Sequence, residues 1–398
     1  MIEVLLATAG MILADLGIYN ATLGFVGLLS RNTKNPRGDG VTFSLIVPAK
    51  NEEKVLPRLL DRLVSQQYDK SKYEIIVVED SSTDGTLEVC RKYERSYANV
   101  KCLSLPKPNV VNGKARGINE ALKVAKGEVI GVFDADSVPS LDVLSVVAPF
   151  FANGSVAVQV KVQPINVRES VIARLASVEE LLYEYTLLGR SRLGLFVSLE
   201  GTGSFVRKDV LVSLGGFDES TLTEDLALSL AIYLSGRKVD YAPEAVVWRE
   251  VVPRLSWLVK QRLRWYRGHL ELVRYVTTKK RPRLDPTTID GFLTVIGPVI
   301  VSLYPVGFAL WFFASYRLVF YALVALSLSS FLTFLLTLAV VRRHMIESWF
   351  AVLMPVLMNV IVGLNVLAVI SHLFGTRKSW VKTERSGVVF DRRGAVQV

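Results

Sequence analysis

Two aspartates separated by one alanine, Asp134-Ala135-Asp136, follow the apolar run 129–133. If that run is a strand, alternate residues at its end face one side, and the two carboxylates can share a hard divalent cation. Such a cation would bridge the phosphate oxygens of a nucleotide. A turn or a helix cap before Pro139 accounts for the same residues, and both readings stand at this point. Glu79-Asp80 closes the run 73–79 and can equally form an Asx turn. Thr223-Glu224-Asp225 opens a helical run over 226–234 that Gly236 closes. Thr223 suits an N-cap with acids in the first turn. Asp225 also suits a general base, if it faces a substrate hydroxyl. Gln261-Arg262-Leu263-Arg264-Trp265 sits in a basic amphipathic stretch over 254–276, whose arginines suit lipid headgroups or a diphosphate.

These residues need elements that hold them together. Runs 43–48, 73–79, 100–105 and 129–133 read as buried strands, and 52–66, 84–93 and 114–125 read as helices. That alternation predicts an α/β fold with a doubly wound, mostly parallel sheet. Such sheets bind ligands beyond the carboxyl ends of their strands. Those ends carry Pro48-Ala49-Lys50-Asn51-Glu52, Glu79-Asp80-Ser81-Ser82 and Asp134-Ala135-Asp136, so the polar groups gather on one edge.

The rest of the chain reads differently. Residues 291–316, 318–341 and 348–376 contain no Lys, Arg, Asp or Glu, and 5–29 is a further apolar run interrupted by Asp15 and Asn20. Runs of this length can cross a bilayer. The start Met1-Ile2-Glu3 lacks the basic region of a signal peptide, so the first run is expected to be an uncleaved anchor. The net charge of +10 is concentrated beside apolar runs, at 31–37 and 249–283, which points to a membrane and away from nucleic acid as partner. Cys90 and Cys102 are the only cysteines, too few for a disulfide framework and consistent with a reducing compartment. Cys, Met and Gln are sparse, as in thermophilic proteins.

The motifs occur in an order similar to membrane-bound glycosyltransferase family 2, the group of cellulose, hyaluronan and chitin synthases and related lipid-linked sugar transferases. The matching text is SLIVPAKNEE at 44–53, VVEDSSTDGT at 77–86, NGKARGINEAL at 112–122 and FDADS at 133–137. It continues with EGTGSFVRKDVL at 200–211, TED at 223–225, QRLRW at 261–265 and GTRKSWVKTERSG at 375–387. The resemblance implies a GT-A-type nucleotide-sugar-binding domain with interfacial helices and an α-helical transmembrane domain. The expected division is an anchor at 1–30, a linker at 31–41, the catalytic domain at 42–250, interfacial helices at 251–286, membrane helices at 287–374 and a gating-loop-like tail at 375–398.

The same resemblance implies residue roles. Asp80 would contact the nucleoside, with Ala49 and Glu53 lining its pocket and Lys114 near the diphosphate. Asp134 and Asp136 would hold the donor and its Mn²⁺ or Mg²⁺. Asp225 would be the catalytic base, and Arg264 would neutralise the leaving diphosphate. Gln261, Trp265, Glu224 and Gly203 would line the acceptor site, and Thr383 and Arg385 would close over bound donor. The implied activity is inverting transfer from a nucleotide sugar, GDP-mannose being the donor named, to a polyprenyl- or dolichyl-phosphate-linked acceptor at the cytoplasmic face. SLEGTGSF departs from the wording of the polymer synthases, which puts acceptor and processivity in question. A processive polysaccharide synthase using a UDP-sugar would need a secretion tunnel, for which four apolar runs are few. A polyprenyl-phosphate sugar synthase would need no strong base, and a nucleotide-binding receptor would need no complete catalytic set.

Topology follows from parity. Nucleotide sugars are cytoplasmic, so catalytic domain and tail must share that side, and the chain must cross an even number of times between them. Runs 291–314 and 318–341 are expected to form a hairpin with Arg342-Arg343-His344 inside. Run 348–373, broken by Pro355, Asn359, Gly363 and Asn365, is expected to be re-entrant or interfacial, leaving three spans and an external N-terminus; apolar length alone reads it as a fourth span.

Overall fold

The computed structural model describes residues 2–30, 38, 40–106, 110–278, 285–302 and 316–373. They divide into a sheet unit, 38–166 with 196–251, and a helical unit, 2–30 with 167–195 and 252–373. Residues 167–195 fall inside the span expected for one catalytic domain, yet they belong to the helical unit.

The first half of the sheet unit follows the expected alternation. Its elements are β1 (Phe43–Ala49), α2 (Leu56–Val64), β2 (Tyr73–Asp80), α3 (Thr86–Ser96), β3 (Val100–Leu105), α4 (Gly113–Val124) and β4 (Val129–Val132). β1 and β2 are buried nearly throughout, as strands covered on both faces must be. α2 turns Leu56, Leu59, Leu60 and Leu63 to one buried face, and Pro57 sits in its first turn, where no amide hydrogen bond is lost. β3, β2, β1 and β4 lie side by side in parallel.

The second half keeps the sheet mostly parallel, as expected, but adds antiparallel pairing that the strand–helix alternation did not show. β5 (Val138–Pro139), β6 (Ala157–Pro164), β7 (Ser204–Arg207) and β8 (Asp240–Arg249) extend it to eight strands in the order β3-β2-β1-β4-β7-β6-β8-β5. β7 is antiparallel to both β4 and β6, β8 is parallel to β6, and β5 is antiparallel to β8, so the sheet is mixed. The β6–β8 register slips, Val160 facing Ala242 and Lys161 facing Val246. Pro243 lies in the skipped stretch and has no N–H with which to continue the ladder. Phe43, Phe133 and Phe205 meet edge to face in the core, with Phe205 centred 5.9 Å from Phe43 and 5.7 Å from Phe133. α5 (Val143–Ala152) packs on β8 and β6, and the short α7 (Lys208–Ser213) follows β7 and packs on it. Cys90 on α3 and Cys102 on β3 form a disulfide, their Cα atoms 5.6 Å apart. The pair was too sparse to read as a bridge, but the adjacent α3 and β3 bring it together.

In the helical unit, α1 (Ile2–Leu29) packs on α6 (Val171–Arg192) and on α11 (Tyr316–Arg343). A Cβ at Gly27 would overlap the Tyr185 carbonyl and one at Gly189 the Leu23 carbonyl, so α1 and α6 meet backbone to backbone and antiparallel. Gly17 faces Ser329, Gly24 faces Leu336, and Arg343 donates to Leu28 O, so α1 and α11 run parallel. Asn20, which interrupts the first apolar run, accepts from Arg190, whose guanidinium pairs with the buried Asp290 at 3.1 Å. Among the described residues, two helical segments are long and apolar enough to cross a membrane, Leu323–Arg343 in α11 and Phe350–Ser371 in α12 (Phe350–Leu373). The run expected to be broken at Pro355 is therefore one uninterrupted helix. Between these elements lie α9 (Leu255–Thr278) and α10 (Pro286–Ser302). Arg267 of α9 donates to Ser371 near the C-terminal end of α12 at 3.0 Å.

Candidate functional site

At the carboxyl end of β2, Asp80 is buried and paired with Lys50 at 3.2 Å, with Arg116 3.9 Å away. The turn role considered for this pair falls to Glu79, whose carboxylate accepts from Ser82 N and Ser104 Oγ. Asn51 and Ser81 follow β1 and β2 with φ of 55° and 49°, a left-handed backbone that residues other than glycine seldom adopt. The two turns lock together, Asn51 Oδ1 accepting from Thr83 N at 2.7 Å and Glu53 Oε2 from Gly85 N at 3.0 Å. Ala49 is buried at the end of β1. The structure thus brings Ala49, Glu53 and Asp80 to one edge, and Asn51 and Ser81 join them without a sequence signal beyond their place after a strand.

Asp134 and Asp136 are not alternate residues of a strand end. They lie in a turn closed by Ser137 N donating to Asp134 O at 2.9 Å. Thr202 Oγ1 braces it, accepting from Asp134 N at 3.2 Å and meeting Ser137 Oγ at 2.7 Å. Arg58 Nη2 donates to the Asp136 carbonyl at 2.7 Å while its Nη1 pairs with the buried Glu250 at 3.0 Å. Asp136 is buried, and the Asp134 carboxylate faces Lys114 at 2.6 Å.

Lys114 is the hub. Asn112 caps α4 by accepting from Ala115 N, and its amide also donates to Glu224 Oε2 at 2.7 Å and to Thr221 O at 3.1 Å. This ties the start of α4 to the start of α8 (Glu224–Leu234). Lys114 Nζ then reaches Asp134, Glu224 at 3.3 Å and the Gly201 carbonyl at 3.0 Å. Glu224, expected beside an acceptor, is also a partner of this lysine. Thr223 holds the N-cap position, but its side chain makes no capping hydrogen bond. Asp225 accepts from Leu226 N at the start of the helix. Burial pushes its carboxyl up, Glu224 pushes it further and Lys114 pulls it back, leaving it at about 6. Burial works against the Lys114 charge, but Asp134, Glu224 and Asp225 outweigh it and hold its pKa above the ordinary lysine value.

Gly201, with φ of 74°, passes so close that a Cβ there would stand 2.9 Å from Asp225 Oδ2 and 3.0 Å from Lys114 Nζ. Gly203 was the glycine expected at an acceptor. A Cβ on it would instead strike Val160 and Val247 in the core, so Gly201 is the one bordering the carboxylates. No group of three or more His, Cys, Asp or Glu that could hold an ion occurs among the described residues. Asp134 and Asp136 fit a divalent cation only if ligand oxygens complete its coordination, as a diphosphate can.

Gln261, Arg264 and Trp265 lie on α9 of the helical unit. Arg262, between them, is 1% exposed and forms a two-point ion pair with Glu179. Thr383 and Arg385 lie outside the described residues.

Residues 40–268 match the family described as "Glycosyltransferase like family 2". The chain is 33% identical over 255 residues to a β-monoglucosyldiacylglycerol synthase of Nostoc sp., covering 64% of this chain and 54% of that protein. It is 29% identical over 233 residues to the probable glycosyltransferase YdaM of Bacillus subtilis, covering 58% and 56%. To a poly-β-1,6-N-acetyl-D-glucosamine synthase of Staphylococcus epidermidis it is 26% identical over 255 residues, covering 63% and 59%. These matches span little more than half the length of each relative. Among solved structures, a mannosyltransferase from Pyrobaculum calidifontis in complex with GDP-Man and Mn²⁺ superposes with a TM-score of 0.66 at 18% identity, over 94% of this chain and 100% of that one. The two share a fold.

Proposed function

The chain belongs to glycosyltransferase-like family 2, and from that membership we propose that it is an inverting glycosyltransferase carrying a hexose from a nucleotide-sugar donor to a lipid or lipid-linked acceptor at the membrane. The observation that carries the proposal is the partly buried cluster at the sheet's edge, where Lys114 is held by Asp134 and Glu224 next to an Asp225 whose carboxyl is pushed up to about 6. A carboxylate of that pKa is mostly ionised at pH 7 yet basic enough to take a proton.

In the proposed reaction the acceptor hydroxyl oxygen attacks the anomeric carbon opposite the diphosphate. The bond from that carbon to the diphosphate oxygen breaks, its electron pair leaves with the nucleoside diphosphate, and the hydroxyl proton passes to Asp225. Lys114 stabilises the charge that grows on the diphosphate, from a position set by its ion pairs before any donor binds. Asp134 and Asp136 would hold a divalent cation, which when bound supplies further positive charge at the phosphates. Asp80, with Lys50 and Arg116 beside it, orients the nucleoside. Gln261 and Trp265 are assigned to the acceptor, Arg264 to the diphosphate, and Thr383 and Arg385 to closure over the donor.

A membrane setting is supported by the apolar side chains that α11 and α12 leave exposed, among them Phe320, Tyr321, Val324 and Phe331, then Val352 and Val356. The relatives named as glycolipid synthases support a lipid acceptor, and the complex with GDP-Man makes GDP-mannose the first donor to try. α12 is long enough to span, but its tie from Ser371 to the basic helix α9 favours a course along the interface, with the catalytic unit and the tail both cytoplasmic.

The test is a screen of nucleotide sugars with the full chain in lipid nanodiscs, reading nucleoside diphosphate release and labelled lipid beside Asp225→Asn. One donor should give release that the variant lacks. Release from no donor above the variant's level would end the proposal, and a long polymer as product would replace it with a processive synthase.

A further inference from the structure

Arg262 has an unusual set of partners for a fully buried cation. Its Nε and Nη2 donate to the two oxygens of Glu179 on α6 at 3.2 and 2.7 Å. Its Nη1 donates to Gln261 Oε1 at 2.8 Å, and its guanidinium carbon lies 4.2 Å from the centre of the Trp265 ring. Gln261 and Trp265 are one helical turn apart and share a face of α9. One planar group therefore touches both residues assigned above to the acceptor, and Glu179 holds that plane in place. Packing alone does not call for this arrangement. A buried ion pair is commonly matched or bettered in stability by apolar residues of the same volume. Lysine could not reproduce it either, being a point charge without the planar fork.

The contact also fixes which way the Gln261 amide faces. A guanidinium has only donors, so the atom that meets Nη1 must be the amide oxygen. The amide's Nε2 is then directed away from Arg262, as a donor. We propose that Arg262 is a positioning residue for acceptor recognition, setting the Trp265 ring and turning Gln261 so that it offers a hydrogen bond to an oxygen of the acceptor. This rests on the acceptor role given to Gln261 and Trp265, and the experiment separates the two.

The first measurement needs no acceptor. Trp265 emission and acrylamide quenching are taken in the full chain as the difference from Trp265→Phe. Arg262→Lys should shift the emission and raise the quenching. The charge-swapped pair Arg262→Glu with Glu179→Arg can restore the bridge between α6 and α9, but it leaves Trp265 and Gln261 without the guanidinium. It should melt near the parent and keep the altered Trp265 signal. A native Trp265 signal in Arg262→Lys, or its full recovery in the swapped pair, would overturn positioning and leave a structural ion pair. The second measurement is transfer to a polar lipid extract in nanodiscs. Gln261→Glu keeps an oxygen for Arg262 and removes the donor, so the KM for lipid should rise about tenfold, the worth of one good hydrogen bond, with the KM for nucleotide sugar unchanged. An unchanged lipid KM in Gln261→Glu beside a raised one in Gln261→Ala would refute the donor assignment. Unchanged values in Gln261→Ala and Trp265→Ala would instead remove the acceptor role, and the Trp265 signal alone would then decide on Arg262.

Discussion

The carboxyl of Asp225 offers the sharpest handle on the proposed chemistry, and Glu224→Gln is the perturbation to use. Gln keeps the shape and can still accept from Asn112, which donates to Glu224 at 2.7 Å. It removes one negative charge from beside Asp225, where burial and then Glu224 raise the carboxyl to about 6. Two unit charges about 6 Å apart interact by roughly 3 kcal/mol at an effective dielectric of ~20, an upper bound of about two pKa units. Lys114 neutralises part of the Glu224 charge, so a fall on the order of one unit is expected. A base must be ionised to work, so turnover should rise with pH through about 6 in the parent and through about 5 in the variant. At pH 5 the ionised fraction then goes from roughly one tenth to one half, a gain of about fivefold relative to the plateau at pH 8. The assay is kcat against pH from nucleoside diphosphate release at saturating donor, with normalisation at pH 8. Superimposable profiles, or a parent without an acid limb between pH 5 and 7, would refute Asp225 as the base.

Asp225→Asn should cut turnover by ~10²–10⁴-fold while leaving donor binding intact. Because the folded carboxyl is raised, the native state loses stability as pH climbs from about 4 to 6. The Asn variant should therefore melt higher at pH 7.5, by up to about 3 kcal/mol, and show no gain at pH 3.5. Asp136→Ala should weaken calorimetric binding of a nucleoside diphosphate in Mn²⁺ and change it little in EDTA; equal binding in both would remove the metal assignment. The disulfide closes a loop with a sequence separation of 12. Replacing both cysteines with serine should cost about 3 kcal/mol, and an unchanged melting curve would show the bridge to be idle. Cysteines introduced at 2 and 316 should react with an impermeant reagent in intact cells and one at 390 should not, the native pair being bridged; labelling at 390 would sink the cytoplasmic tail.

The first half of the sheet was legible because each strand there is an apolar run punctuated by a helix of opposite period. The second half hid for local reasons. β5 has two residues and β7 four, too few to show any period. β6 does alternate, Val158, Val160 and Val162 against Gln159, Lys161 and Gln163, but Gln159 is buried too, accepting from Glu200 N and Ser204 Oγ. α6 shows no clean apolar stripe because it packs on α1 and α11 and buries Glu184 and Arg190. The sequence singled out the polar residues of this edge and offered a turn for Asp134 and Asp136, but not the contacts that join them. Asp134 and Asp136 stand in a turn because Thr202 and Arg58 hold it, and no spacing rule links positions so far apart in the chain.

The charge of the cluster explains why these parts belong together. Asp134, Glu224 and Asp225 surround a single ammonium, Lys114, so the buried group carries an excess of negative charge even with Asp225 partly protonated. A diphosphate brings more negative charge to the same edge. Buried charge without a counterion is expensive, and a donor arriving alone would meet repulsion from Asp134 and Asp136. On the proposed function, a cation held by Asp134 and Asp136 would offset that repulsion when the donor binds. In the proposed reaction the sugar would lie near Asp225, where positive charge would develop on the anomeric carbon as the diphosphate departs. If Asp225 is the base, negative residues that burden the resting protein would oppose a charge that appears only during transfer, which is the condition for lowering a barrier and not merely for tightening binding.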